Sequence, residues 1–136
     1  MNTFILSGKY KDYFFDPPPV TIDSCGQFVR ESIVPQSAKS ISSLVFNYHP
    51  VTRPYVSKRT SHTHQYHEFL AFYSLNLNNP QDFQAEIVLY MGKEQEKYLI
   101  TKPTLVSFPP GFLHCPMEIT RVNKPFFLVS IEVPVT

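Results

Sequence analysis

Proline is the residue that most limits the structures open to this chain. The sequence contains thirteen prolines against four glycines, and beyond residue 49 it is divided into short stretches by those at positions 50, 54, 80, 103, 109, 116, 125 and 134. Proline lacks a backbone donor and clashes with the preceding helical turn, so long helices are excluded from this part of the chain. Short strands and turns are what remains.

Seven stretches between the prolines are rich in β-branched and aromatic residues, which is typical of strands. Gly92-Lys93-Glu94 has the composition of a hairpin connection, and Lys102-Pro103 that of a tight turn. The pattern predicts an all-β sandwich or barrel with little helix. The predicted strands cover residues 28–34, 43–48, 68–75, 84–91, 96–101, 104–108 and 126–133.

The chain has the size of one domain. Its 136 residues, of which 43% are hydrophobic, are enough for a single core. Residues 1–27 contain the run Pro17-Pro18-Pro19, which cannot occupy a central strand because proline has no ladder donor. We predict that residues 1–27 form an extended arm or edge segment and that residues 28–136 form the single β domain.

Charge and cysteine content restrict the partners and the compartment. Twelve basic and eleven acidic residues give a formal charge of +1 without a block of like charge, so nothing favours nucleic acid or an anionic membrane. The apolar run Phe4-Ile5-Leu6 is too short for a signal peptide, and no stretch approaches a transmembrane span. We expect a cytoplasmic protein that binds neither nucleic acid nor membrane, with Cys25 and Cys115 as free thiols.

The stretch SHTHQYHE, residues 61–68, holds three of the five histidines and a glutamate. In an extended segment His62 and His64 project from the same face, and a short turn or a continued strand could bring Glu68 beside them. A fourth candidate is His114 in FPPGFLHC, residues 108–115, where it follows a proline-glycine turn at the start of another β-type run. Three imidazoles and one carboxylate suit zinc, iron, manganese, nickel or copper and do not suit calcium.

The spacing His62-x-His64-x-x-x-Glu68, followed by Pro109-x-Gly111-x-x-His114, resembles the two signature motifs of the cupin superfamily. The resemblance implies a cupin-type jelly-roll β-barrel, also called a double-stranded β-helix, similar to small single-domain bacterial cupins. It further implies that His62, His64, Glu68 and His114 converge inside the barrel on one divalent transition metal (Fe, Mn, Zn or Ni), with Pro109 and Gly111 in the turn before the last ligand. Cupins are often dimers, so we expect a homodimer.

Other residues near the motifs have plainer interpretations. His67 is adjacent to Glu68 and should face away from it, as a surface or supporting residue. By the same alternation Cys115 should turn away from His114 and be a buried, inert thiol. Arg53, Lys58 and Arg59 could meet an anion at a barrel mouth, but solvated loop charge is the better interpretation. A zinc-protease helix is excluded, because Ala71 stands where the second histidine belongs.

A metal with open coordination positions inside a barrel predicts an enzyme that acts on a small organic ligand such as a hydroxy or keto acid. The reaction class stays open among oxygenation, isomerisation and lyase chemistry, and the sequence identifies no catalytic acid or base. Tyr90, Tyr98 and Glu86 are the candidates for substrate contact. The alternatives are a non-catalytic cupin that binds or senses a small ligand, and a barrel whose metal is purely structural.

Overall fold

The computed structural model describes residues 8–14, 19–22, 26–33, 44–57 and 59–134. Apart from a three-residue 3₁₀ turn, the regular structure in these ranges is all strand, as the sequence predicts. Cys25, predicted to be a free thiol, lies outside the described residues. The strands are β1 (Pro19–Ile22), β2 (Gly26–Ile33), β3 (Leu44–Val51), β4 (Tyr55–Val56), β5 (Tyr66–Ser74), β6 (Ala85–Met91), β7 (Glu96–Ile100), β8 (Thr104–Phe108), β9 (His114–Val122) and β10 (Phe126–Pro134).

The strands form two antiparallel sheets. One sheet has six strands in the order β1-β2-β3-β10-β5-β8, and the other has four in the order β4-β9-β6-β7. From β3 onwards the chain crosses between the sheets at every connection except the β6–β7 hairpin. This two-sheet, antiparallel arrangement is the predicted jelly roll.

Two features of the strands differ from or extend the sequence prediction. Strand β9 is not among the seven predicted strands, because it contains Pro116. The pairing of β9 with β6 shifts register between Leu89 and Met91, opposite this proline, so a bulge accommodates the missing donor. In the described part of residues 1–27, β1 lies at the edge of the six-stranded sheet, where its N-terminal Pro19 costs no central ladder bond.

The core lies between the facing sheets. Phe72, Phe108 and Phe126 from the six-stranded sheet and Ile87, Leu89 and Ile119 from the other are almost completely buried. Two polar side chains, Glu68 and His114, are also buried at this interface. Buried ionisable groups are rare unless they are paired or functional, so this end of the sandwich locates the candidate site. The part of the chain that the structure describes includes no helix of sufficient length and apolarity to cross a bilayer.

Candidate metal centre

Strand β5 carries the buried carboxylate of the site. Side chains alternate along a strand, and Glu68, Leu70 and Phe72 share the inner face of β5 with exposed fractions of 7%, 8% and 0%. His67 lies on the opposite face, is exposed, and stacks against Phe69 with ring centroids 6.4 Å apart. The alternation therefore directs Glu68 into the barrel and His67 out of it.

Backbone hydrogen bonds join the two histidine segments. The amide of His62 donates to the carbonyl of His114 at 3.0 Å, and the amide of His114 donates to the carbonyl of His62 at 3.1 Å. The amide of Gly111 donates to the carbonyl of His64 at 2.8 Å. Gly111 has a φ of +82°, and the Phe112 amide donates to the Pro109 carbonyl, so the chain makes a tight turn that needs glycine at this position.

Four side-chain donor atoms converge where these segments meet. The Nε2 atoms of His62 and His64 lie 3.0 Å apart. The Oε2 atom of Glu68 lies 3.1 Å from Nε2 of His64 and 3.1 Å from Nε2 of His114. Ligand atoms of the three histidines all lie within 4.8 Å of one another. The structure thus brings the three histidines together and places Glu68 in contact with two of them, His64 and His114.

The backbone fixes which nitrogen of two imidazoles faces the cluster. Nδ1 of His62 lies 2.6 Å from the Thr60 carbonyl oxygen, and Nδ1 of His114 lies 2.9 Å from the Phe112 carbonyl oxygen. A carbonyl oxygen only accepts, so each Nδ1 carries the proton and donates. Each Nε2 is then directed into the cluster, where the neutral imidazole offers its lone pair, and this is how histidine ligands are oriented in metal sites.

The donor spacing fits a metal ion. Two unprotonated nitrogens 3.0 Å apart repel each other unless a proton or a cation lies between them. With metal–nitrogen bonds of about 2.1 Å, neighbouring ligands at 90° lie about 3.0 Å apart, and ligands at the tetrahedral angle lie about 3.4 Å apart. The separations of 3.0–3.1 Å in three of the donor pairs lie near the spacing of two ligands of one metal ion. His62, His64 and His114 could therefore hold a metal ion.

Electrostatics keep these groups in their ligating forms. Burial lowers the pKa of His64, which favours the neutral imidazole. Burial alone would raise the pKa of Glu68, but the hydrogen bond with His114 and the electrostatic attraction of His114, His64 and Arg59 outweigh it, so the pKa lies below its ordinary value. A neutral imidazole and an ionised carboxylate are the protonation states that bind metals.

Several solved structures are similar to this chain in fold. The capsular polysaccharide assembling protein CapF from Staphylococcus aureus has a TM-score of 0.56 at 10% identity, covering 98% of this chain and 35% of that chain. FeII HppE has a TM-score of 0.52 at 16% identity, covering 86% and 56%. The polyketide cyclase RemF from Streptomyces resistomycificus has a TM-score of 0.51 at 8% identity, covering 87% and 74%.

All three are cupin jelly-roll proteins. The chain has the cupin fold. At these identities the likeness concerns the fold alone, and it confirms the fold that the two motifs imply. The chain spans 56% of the length of HppE and about a third of that of CapF. No protein-family model matches the sequence, and no curated protein matches it significantly.

Two of the four donors, His62 and Glu68, line a cavity of about 170 Å³ inside the cupin barrel, here called the histidine cavity. Several of its walls are polar, although they lie on the inner faces of strands that are otherwise apolar. Its lining residues are Asn47, Ser57, Arg59, His62, Glu68, Leu70, Cys115, Met117, Ser130 and Glu132. Buried polar positions on an inner face are typical of a ligand site.

Strand pairing explains how three of these polar residues reach the cavity. Ser130 of β10 pairs with Asn47 of β3 on one side and with Leu70 of β5 on the other, so the three share one row. Glu132 pairs with Glu68 in the next row of the same face. The sequence analysis did not single out Asn47, Ser130 or Glu132. These residues share the inward face with Glu68, but the sequence shows this only when the long-range pairing of β10 with β3 and β5 is known.

Tyr66 holds two members of this region in place. Its ring stacks on His64 with centroids 4.5 Å apart and an interplanar angle of 15°. Burial raises the pKa of Tyr66 to about 12, with further contributions from the charge of Glu132 and a hydrogen bond to it. The phenol is therefore protonated at neutral pH, and its hydroxyl donates to the Glu132 carboxylate.

The prediction that Cys115 turns away from the site is wrong in its geometry. Cys115 has a φ of +76° and lies at the bulge of β9, where the alternation of side chains is interrupted. Both His114 and Cys115 are consequently buried, and Cys115 lines the histidine cavity. Burial raises the pKa of the Cys115 thiol to about 11, which agrees with the prediction of a free, inert thiol.

The three residues predicted to contact substrate do not line the histidine cavity. Glu86 and Tyr90 lie on the face of β6 opposite Ile87 and Leu89, and Glu86 Oε1 accepts a hydrogen bond from Thr120. Tyr98 lines a separate cavity of about 490 Å³ beside β7 and β8, and its hydroxyl donates to Glu96. Substrate contact by these residues stays a prediction.

Proposed function

We propose that this chain is a metal-dependent enzyme that acts on a small hydroxy or keto acid. One divalent transition metal would be held by His62, His64, Glu68 and His114. The observation that carries the proposal is the contact of these donors with one another beside a 170 Å³ cavity with polar walls, which His62 and Glu68 line. A purely structural metal is enclosed by its ligands and does not need an adjoining cavity.

The donor set of nitrogen and oxygen atoms would suit iron, manganese, nickel or zinc, and of these we propose iron. Iron is the metal printed for one structural neighbour, FeII HppE, which supports this choice. When bound, a metal held by four side chains supplies Lewis-acid catalysis and open positions for a chelating substrate.

The residues of the chain supply binding and a proton acceptor. Glu68 is committed as a ligand, so it does not serve as the base. Glu132 pairs with Glu68 across the sheet and places a second carboxylate in the cavity, where the Tyr66 hydroxyl fixes its orientation. We assign to Glu132 the role of accepting a proton from the carbon or hydroxyl of a bound acid, the task for which a positioned carboxylate is suited.

The fold does not select among reactions. FeII HppE, the polyketide cyclase RemF and the capsular polysaccharide assembling protein CapF share one architecture under different printed names. The reaction class is therefore decided by the cavity and the metal. Oxygenation requires a redox-active metal and dioxygen, and isomerisation or lyase chemistry requires neither.

The test is turnover by the metal-loaded protein. The chain is loaded in turn with Fe²⁺, Mn²⁺, Ni²⁺ and Zn²⁺ and incubated with a panel of small hydroxy and keto acids, with and without dioxygen, and products are followed by NMR. We expect turnover in the parent, a loss of about 100-fold in Glu132→Gln, and no loss in Glu94→Gln, an exposed glutamate outside the histidine cavity. Binding of an acid that is returned unchanged with every metal contradicts the enzyme and supports the ligand-binding alternative.

A further inference from the structure

The histidine cavity contains an acceptor without a partner. Oδ1 of Asn47 is buried and accepts no hydrogen bond from the described residues. Asn47 lines the cavity, next to Ser130 in the same row of the sheet. A buried carbonyl oxygen without a donor costs free energy, and such groups in folded proteins usually mark a site for water, an ion or a ligand. Asn47 is therefore suited to receive a donor from a bound molecule.

The charges around the cavity select for an anion once a metal is present. Glu68 and Glu132 contribute two negative charges and Arg59 contributes one positive charge, and a histidine bound to a metal is neutral. A divalent ion changes the net charge of these groups from −1 to +1. A monoanion then neutralises the cavity, and without the metal the same anion is repelled.

The cavity limits the size of its occupant. Its volume of about 170 Å³ equals that of about six water molecules in the liquid. It therefore accommodates an acid with a short carbon chain. Polar groups occupy several sides of this space, so an occupant with a polar group on each short carbon fits better than an apolar one.

We propose that Asn47 and Arg59 determine substrate specificity by selecting a small polyhydroxy monocarboxylate. Arg59 at the exposed rim pairs with the carboxylate, and Asn47 Oδ1 accepts a hydrogen bond from a hydroxyl that does not bind the metal. The inference rests on the proposed metal site and deepens it. It also gives Arg59 a role in binding, whereas the sequence analysis interprets this residue as a solvated charge in a loop.

The test compares two acids that differ by one hydroxyl. Binding of Mn²⁺ to the protein is first measured by isothermal titration calorimetry, and glycerate and lactate are then titrated into the Mn²⁺-loaded protein and into the metal-free protein. We expect the parent to bind glycerate about tenfold more tightly than lactate, because lactate leaves Asn47 Oδ1 without its donor. Neither acid should bind without the metal.

Variants separate recognition from folding. Asn47→Leu should bring the ratio of glycerate to lactate affinity close to one while the melting temperature of the free protein stays equal or rises, because a carbonyl without a partner is removed. Asn78→Leu, at an exposed position, is the matched control and should keep the tenfold ratio. Arg59→Ala should weaken the binding of both acids by at least tenfold. Arg121→Ala, which removes the same charge at an exposed position of β9, should leave their binding unchanged.

The negative results point to different failures. If Mn²⁺ does not bind, the proposed metal site is wrong, and the substrate proposal falls with it. If Mn²⁺ binds but glycerate and lactate have equal affinity in the parent, or if Asn47→Leu keeps the tenfold ratio, only the assignment of Asn47 is overturned. Equal binding of glycerate with and without Mn²⁺ overturns the charge argument.

Discussion

The side chain of Phe108 lies flat against His114, and this contact offers a way to weaken the metal site without touching a ligand. The ring centroids are 4.1 Å apart with an interplanar angle of 13°, and Phe108 is 1% exposed. With Nδ1 fixed by the Phe112 carbonyl, this stacking holds the plane of the imidazole. Phe108→Leu keeps an apolar side chain and removes the flat surface against which His114 rests.

The magnitude follows from the packing. A hydrophobic exchange of similar volume costs up to about 1.5 kcal/mol, and loss of an aromatic pair adds about 0.5–1.5 kcal/mol, so we expect a loss of about 1–3 kcal/mol in the free energy of unfolding. Groups that orient a ligand typically contribute 10–100-fold to metal affinity. Phe108→Leu should therefore weaken binding of Mn²⁺ by about tenfold.

Phe126→Leu is the matched control. Phe126 is also 1% exposed and contacts the rings of Phe72 and Phe83, and among the described residues it makes no ring contact with a histidine. Urea unfolding of the metal-free proteins gives the stability loss, which should be similar in the two variants. Chelator competition gives the Mn²⁺ affinity, which should fall only in Phe108→Leu. An equal fall in both variants, or in neither, refutes the orienting role of Phe108.

Two further predictions concern titratable groups. Hydrogen bonds from three neighbouring side chains lower the pKa of Asp82 to about 2, so its ionised form stabilises the fold above the ordinary pKa of about 4 and loses this effect as the pH falls towards 2. The stability gap between the parent and Asp82→Ala, measured by urea unfolding, should therefore narrow from pH 5 to pH 2, and a constant gap contradicts this linkage. Burial raises the pKa of Cys115 to about 11, so in a Cys25→Ser variant iodoacetamide at pH 8 should label the native thiol at least about 100-fold more slowly than the urea-unfolded one. Labelling at similar rates contradicts its burial.

The sequence predicts those parts of the structure that depend on local periodicity. Strand β8 has the predicted bounds, and β5 differs from its prediction by two residues at its start and one at its end. The spacing of His62, His64 and Glu68 is also local, and so is the turn at Gly111 that precedes His114. Because the two motifs occur in order, the convergence of these residues could be inferred before the fold was known.

The rest depends on contacts between distant segments. Asn47 and Glu132 line the cavity only because β10 pairs with β3 on one side and with β5 on the other, and this register cannot be read from the separate strands. The orientation of Cys115 depends on a bulge with a positive φ, which alternation does not anticipate. The sequence also does not determine which face of β6 turns inward, so it does not predict whether Glu86 and Tyr90 face the core.

The central claim is that four side chains from two distant segments bind one metal ion, and metal content measures it most directly. The purified protein and its His114→Ala and His67→Ala variants are incubated with Fe²⁺, Mn²⁺, Ni²⁺ or Zn²⁺, passed through gel filtration and analysed for metal. The account predicts about one equivalent per chain in the parent and in His67→Ala, whose imidazole faces outward, and a large loss in His114→Ala. Absence of stoichiometric metal from the parent, or undiminished metal in His114→Ala, contradicts it.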